Sequence, residues 1–275
     1  MLRTERDGPW WVLWLDAPTS RNALTDEMVS GLRQALSDAA QDPTVRAVLL
    51  RGAGGTFCAG GDFSRFRSLM AEPAPPQGPD PIAVFNRAFG AMLEVLASCP
   101  VLTVACVEGA AMGGGCGLAA ACDVVLASDT AVLATPEVTL GLPPAQIAPF
   151  VAARLGERQA LRLMASGQRL NAAEALRIGL VDEVVAQAEV EMALAAWQQR
   201  LLRAEPQALR ATKAILARRR SGAKQGAELS DGLGETLDFA ADAFARALRS
   251  GTASEGLAAL SAKRVPEWAT SKDPS

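Results

Sequence analysis

A strand, a glycine-rich turn and a helical stretch follow one another twice in this chain, once over residues 45–70 and again over 101–128. The first unit runs VRAVLLR into GAGGTFCAGGDF; the second runs VLTVACVEG into AAMGGG, then the small-residue helix CGLAAAC and the strand DVVLAS. Two such units call for a layered α/β core whose glycine turns lie at the same end of one sheet. With 275 residues, 49% of them apolar, the chain can bury roughly three quarters of its unfolded surface, enough for one large domain with an appendage.

The remaining segments fit around that core. WWVLWL at residues 10–15 reads as a short strand, and DAPTS at 16–20 as a turn. Thr25 is placed to cap a helix in which Met28, Leu32, Leu36 and Ala39 recur at helical spacing. Residues 71–81, AEPAPPQGPDP, hold too much proline for regular structure and read as a mobile surface segment. IAVFNRAFGAMLEVLAS then reads as a helix, and Asn171 and Glu174 stand in capping-box spacing ahead of a stop at Gly179. From Pro206 onward the pattern is helical, interrupted by ARRRSGAKQG. The expected division is an α/β core over 1–200 and a C-terminal helical region over 201–275.

Composition narrows the chemistry more sharply than it narrows the fold. The chain has no histidine, which removes Ser-His-Asp and Cys-His hydrolases, HExxH zinc sites and every imidazole base. Tyrosine is missing too, so proton transfer falls to Asp, Glu, Lys, Cys or water. A carboxylate whose pKa is raised by burial is the simplest solution. A net charge of −3 gives no general attraction to nucleic acid or an anionic membrane, so an anionic ligand needs local cations. Charges in MLRTERDGPW stand where a signal peptide needs an apolar run, and no stretch reaches the ~20 apolar residues of a membrane span. A cytoplasmic protein is expected. The five cysteines lie in apolar or glycine-rich runs without CxxC spacing and read as buried thiols, with no ligand cluster for a metal.

Three places remain where chemistry could sit. Gly60-Gly61-Asp62 follows the first strand, and Gly113-Gly114-Gly115 opens the second helix. Glycines allow close backbone approach, and a helix N-terminus offers unsatisfied N–H groups with a favourable dipole. Two such donors converging on one oxygen make an oxyanion hole. Neither GxGxxG nor GxxxxGK[ST] spacing is present, which argues against nucleotide-phosphate loops. Glu137, in AVLATPEVTLGLPP, is a lone acid with apolar neighbours, so its carboxyl should hold a proton more tightly than usual. Asp123 and Asp129 sit beside turns, where capping explains an Asp well.

Taken together these motifs resemble the crotonase family, also called the enoyl-CoA hydratase/isomerase superfamily. The matching segments are SRNAL (20–24), GGTFCAGGDF (54–63), VEGAAMGGGCGLAAACDVVLAS (107–128), TPEVTLGLPP (135–144), GERQALRLMASGQRLNAAEALRIGLVDEVV (156–185) and SEGLAALSAKRVPEW (254–268). The resemblance implies a spiral of ββα repeats with a C-terminal helical trimerisation region, assembled as a homotrimer or a dimer of trimers. It also implies an acyl-CoA substrate and no further cofactor. By position, Gly61 and Gly114 would supply the oxyanion N–H groups and Glu137 the catalytic carboxylate. Ala23, Leu24, Ala59 and Asp62 would line the CoA path, and Lys263 would approach a CoA phosphate.

One departure matters. The family's two-carboxylate hydratases carry a Glu in the glycine-rich helix, and here that position, within the substrate site, is Gly117. GGGCGLAAACD with EVTLGLPPAQIAPFVAARLGER resembles a bacterial branch acting on 3-branched glutaconyl-CoA thioesters, such as methylglutaconyl-CoA and isohexenylglutaconyl-CoA. Their second carboxylate would help hold the water or pair with a cation near the 65–80 loop, where Arg65 and Arg67 are nearest. The leading expectation is hydration of a 2-enoyl-CoA. Double-bond migration from the 3 to the 2 position, which one Glu can perform, and a silent CoA-binding scaffold stand as alternatives.

Overall fold

The computed structural model describes residues 1–73, 77–222 and 232–270, and side chains for all of these except residues 221 and 222. Residues 74–76 of the proline-rich segment and 223–226 of ARRRSGAKQG lie outside the described residues; its first six residues, expected to interrupt the helix, instead continue it to Gly222.

WWVLWL forms a strand, β2 (Trp10–Leu15), and an unforeseen strand precedes it: β1 (Leu2–Asp7) runs antiparallel to β2. β1 has an exposed, charged face, a usual guise for an edge strand and one that apolar periodicity misses. β3 (Ala47–Gly52) and β4 (Leu102–Val107) follow in parallel register, Trp10 opposite Ala47 and Ala47 opposite Leu102. The segment AAM, expected as turn, is instead a strand, β5 (Ala110–Met112). Next come β6 (Val124–Ser128), β7 (Val132–Ala134), β8 (Arg169–Asn171) and β9 (Glu183–Val185). The main sheet has the order β1-β2-β3-β4-β6-β9, and β5-β7-β8 make a second, smaller sheet. The chain passes from the main sheet to the smaller one between β4 and β5 and again between β6 and β7.

The parallel strands β2, β3, β4 and β6 of the main sheet are buried on both sides, as parallel strands are. Leu13, Leu15, Val48, Leu50, Ala105, Val107 and Val125 face one core; Trp10, Val12, Ala47, Leu49, Val104, Cys106 and Leu126 face the other. The first core is covered by α1 (Asp26–Gln41), whose Met28, Leu32, Leu36 and Ala39 are all buried. The short α2 (Phe63–Ala71) leads to α3 (Pro81–Ser98), which contributes Met92, Leu93 and Leu96, and α4 (Gly114–Ala121) is buried at almost every residue. Each buried leucine is worth about 1.5–3 kcal/mol over its exposed state. Caps fix where these helices start: Thr25 accepts from the Met28 N–H, Asp62 from Ser64 and Arg65, and Asp80 from Ile82.

Further on lie α5 (Ala148–Leu155), α6 (Glu157–Ser166) and α7 (Ala172–Arg177). The Asn171–Glu174 capping box is present with both hydrogen bonds formed, at 2.9 and 3.0 Å. The second core is closed by Val190, Leu194 and Leu201 of α8 (Val190–Arg203). The helices α9 (Pro206–Gly222), α10 (Leu233–Arg249) and α11 (Thr252–Ser261) complete the chain. Lys213 ties α9 to the start of the central strand β4 through the Val101 carbonyl at 2.6 Å and an ion pair with Asp123. Asp123 also accepts from the Thr103 N–H and hydroxyl at 2.8 and 2.9 Å, and Asp129 accepts from the Gln187 N–H. Both aspartates are therefore structural. Among the described residues no helix is long and apolar enough to cross a membrane.

Candidate active site

SRNAL acts through Asn22, which is fully buried. Its side-chain amide accepts from the Ala17 N–H and donates to the carbonyls of Ala53 and Thr56 at 2.8 and 2.6 Å. It therefore locks the turn before α1 to the glycine loop after β3. Leu24 then pairs with Gly61 as a parallel bridge, and the Leu24 N–H donates to the Gly60 carbonyl at 2.8 Å. Cys58 pairs with Ala111 in the same way, which carries the first glycine loop onto the second.

The two glycine turns meet so closely that side chains are excluded. A Cβ on Gly60 would lie 2.9 Å from the Met112 carbonyl oxygen and 3.7 Å from the Gly114 nitrogen. On Gly61 it would lie 2.6 Å from the Phe66 ring, and on Gly114 2.7 Å from a Leu24 methyl. Gly113 has φ 52° and ψ −117°, open only to glycine in practice, and so begins α4 with an abrupt turn. Among the described residues neither the Gly61 N–H nor the Gly114 N–H donates to a protein acceptor.

Both glycines border a cavity of about 1050 Å³ that also takes in Leu24, Ala59, Phe66, Phe85, Asn86, Phe89, Gln146 and Glu137. Glu137 opens a 3₁₀ turn (Glu137–Leu140) directly after Pro136. Its Oε1 lies 2.8 Å from where a Cβ on Gly113 would stand, and its Oε2 is buried with no hydrogen-bond partner. Burial pushes the carboxyl above its ordinary 4.5, only partly offset by its own backbone N–H. An unsatisfied, desolvated carboxyl beside two undonated N–H groups can exchange a proton next to a carbonyl whose oxygen those N–H groups hold.

Other sequence candidates fall in varied places. Asp62 caps α2 outside the cavity lining, its carboxyl held below the usual range by hydrogen bonds from Ser64, the side-chain one strongest. Ala23 stands beside Leu24 without lining the cavity, and Lys263, just past the Ala262 C-cap of α11 with φ 51°, is also away from the lining. Arg65 lines the cavity and the exposed Arg67 does not. The Arg65 Nε is buried without a hydrogen bond; its contact with Asp26 at 3.4 Å is an ion pair too poorly aligned to count as one. Its guanidinium lies 5.8 Å from the Phe85 ring centre.

Gly117 faces Ile147. A Cβ there would fall 2.2 Å from the Ile147 Cγ2, so the space a second carboxylate would need on α4 is filled. Residues not singled out from sequence are Arg33, Asn86, Gln146 and Ile147. For Arg33 a signal existed: Asp26, Val29, Ser30, Arg33, Gln34 and Ser37 form a second helical stripe on α1 and all line the cavity. Among the described residues no group of three or more Cys, Asp or Glu side chains gathers as a metal site.

The enoyl-CoA hydratase/isomerase family model matches residues 11–271. This chain belongs to that family. It is 33% identical to enoyl-CoA hydratase domain-containing protein 2, mitochondrial, of Mus musculus over 92% of this chain and 82% of that one. Among solved structures it is similar to an enoyl-CoA hydratase/isomerase from Marinobacter aquaeolei, at 39% identity, TM-score 0.90 and 98% of both chains. It is also similar to Pseudomonas aeruginosa AtuE, at 42% identity and TM-score 0.89 over 98% of this chain and 99% of that one. Its fold is the crotonase fold of this enzyme family, and the glycine turns and the carboxyl described above lie within the matched span.

Proposed function

We propose that this enzyme adds water to a 2-enoyl-CoA thioester. The observation that carries this reading is the unpartnered, desolvated Glu137 carboxyl in one cavity with the undonated N–H groups of Gly61 and Gly114. Those N–H groups hold the thioester oxygen; each such donor is typically worth ~10²–10³ in rate, about 3–4 kcal/mol. Water bonds through oxygen to Cβ while Glu137 takes its proton, and the π electrons move onto the thioester as an enolate. Glu137 then returns the proton to Cα, so one carboxyl serves as base and acid and the atoms of one water are fully used. Nothing beyond the coenzyme A carried by the substrate is required. Leu24 and Ala59 border the thioester arm, with Ala23 and Asp62 flanking it.

The acyl class follows from Arg65. Arg65 lines the cavity with a buried Nε that lacks a hydrogen bond and only a long ion pair to the exposed Asp26, which favours an acyl chain with its own carboxylate, as in 3-branched glutaconyl-CoA thioesters. A second reading, migration of a double bond from the 3 to the 2 position, is favoured by one observation: Ile147 excludes a second carboxylate at Gly117, and migration needs only one. Exposed Leu237, Phe244 and Leu248 of α10 with Leu257 and Leu260 of α11 support assembly as a trimer or a dimer of trimers. Five unpaired thiols suit a cytoplasmic setting.

The test is a product assay with crotonyl-CoA, 3-methylglutaconyl-CoA and a 3-enoyl-CoA. Formation of 3-hydroxyacyl-CoA, fastest from the glutaconyl thioester, is the expected result; double-bond migration without water addition establishes the second reading instead.

A further inference from the structure

Hydration with one carboxyl sets a geometric problem. Glu137 must receive a proton from the water and deliver it to Cα, so it leaves that water without a second fixed anchor. In this chain the neighbouring wall cannot supply a carboxylate, because Ile147 occupies the space beside Gly117. The residue before Ile147 is Gln146, which lines the same cavity as Glu137, and facing it from α3 is Asn86.

These two amides are built into place. Gln146 Nε2 donates to Asn86 Oδ1 at 2.8 Å. On its other side, Gln146 Oε1 lies 1.8 Å from where a Cβ on Gly90 would stand, so only glycine at position 90 of α3 admits the amide in this orientation. Among the described residues the Asn86 Nδ2 group donates to no protein acceptor. A half-buried amide pair with unused N–H groups on a mainly apolar cavity wall has the polar groups needed to hold a water. It cannot act as a base, because an amide does not ionise in this range.

We propose that the Asn86–Gln146 pair positions the water that adds to Cβ, in place of the second carboxylate that the Gly117–Ile147 contact excludes. The inference rests on the hydratase reading above. The amide N–H groups hold the water by one lone pair, which leaves another for Cβ and a proton for Glu137. Asn86 and Gln146 are thus positioning residues, and Glu137 remains the group that moves the proton.

The test compares wild type with Gln146→Met, Asn86→Leu and Gly90→Ala for water addition to a 2-enoyl-CoA. Gly90→Ala keeps both amides, favours the helix intrinsically and displaces Gln146. The expected result in all three is a fall in kcat of about 10²-fold, with KM within twofold and the acidic limb of the pH profile, set by Glu137, unmoved. Unchanged kcat overturns the proposal. So does a rise in KM with kcat intact, which would make the amides substrate contacts, or a shifted pH limb with a lowered melting temperature, which would make them structural. Wild type that adds no water to any 2-enoyl thioester overturns the hydratase reading itself, and this inference with it.

Discussion

The cavity has two walls of opposite construction. On one side Gly60, Gly61, Gly113 and Gly114 are pressed together until no Cβ fits, and the groups offered to a ligand are backbone N–H and one carboxyl. On the other, α2 and α3 present Phe63, Phe66 and Phe85 edge-to-face with centroids 5.8–5.9 Å apart, and Arg65 beside them. The glycine wall is tied by the Asn22 amide and two bridges across its loops, whereas the aromatic wall is partly exposed and adjoins the proline-rich segment. On the function proposed above, the glycine wall serves the proton transfer and the Phe–Arg65 face serves the choice of acyl chain.

The sharpest way to break this division is Glu137→Gln, which should lower turnover by about 10²–10⁴-fold while leaving acyl-CoA binding nearly intact. The same variant carries a stability signature. Burial raises the Glu137 carboxyl, so the folded protein keeps a proton there that the unfolded chain has released. Stability accordingly falls as pH rises from the ordinary 4.5 through the raised value. Glu137→Gln should melt higher than wild type at about pH 8, and the difference should vanish below about pH 4; thermal melting across pH checks both.

Next in size, Gly114→Ala should cost about 10²–10³ in kcat, because its Cβ meets Leu24 at 2.7 Å and displaces the N–H. Gly117→Glu should fail to add a second carboxylate and should destabilise by about 1–3 kcal/mol through overpacking against Ile147, read by denaturant unfolding. Coupling it with Ile147→Ala should recover much of that loss.

On the aromatic wall effects should be smaller and selective. Arg65→Gln should reduce kcat/KM for a glutaconyl thioester about tenfold relative to crotonyl-CoA, the worth of one charged hydrogen bond, whereas Arg67→Gln should change nothing. Least of all should happen on probing thiols. Cys58 and Cys116 lie beneath the glycine wall with burial pushing both up to about 12, so the native protein at neutral pH should be inert to thiol reagents. Rapid labelling of either would show the rigid wall opening.

Legibility from sequence follows the same division. Helix α1, the buried strands β3 and β4, the Asn171 cap and the glycine turns announce themselves by periodicity or by residue type, because each is dictated locally. β1 and β5 do not: one is a charged edge strand without apolar alternation, and the other is three residues, Ala110–Met112, before a glycine turn, whose partner β7 begins only at Val132. The elevated Glu137 carboxyl was foreseeable from its apolar neighbours. The filling of Gly117 by Ile147, the seating of Gln146 against Gly90 and the separation of Arg65 from Arg67 were not, since each is a contact between segments whose spacing carries no periodic signal.

The most direct test of the division between walls is incorporation of deuterium at Cα during turnover of a 2-enoyl-CoA in deuterated water, with wild type beside Glu137→Gln. The account predicts a 3-hydroxyacyl-CoA carrying one deuterium at Cα from wild type and almost no product from the variant. A variant that still hydrates and deuterates at a rate near wild type would contradict it, because the proton would then travel through a group other than the carboxyl on the glycine wall.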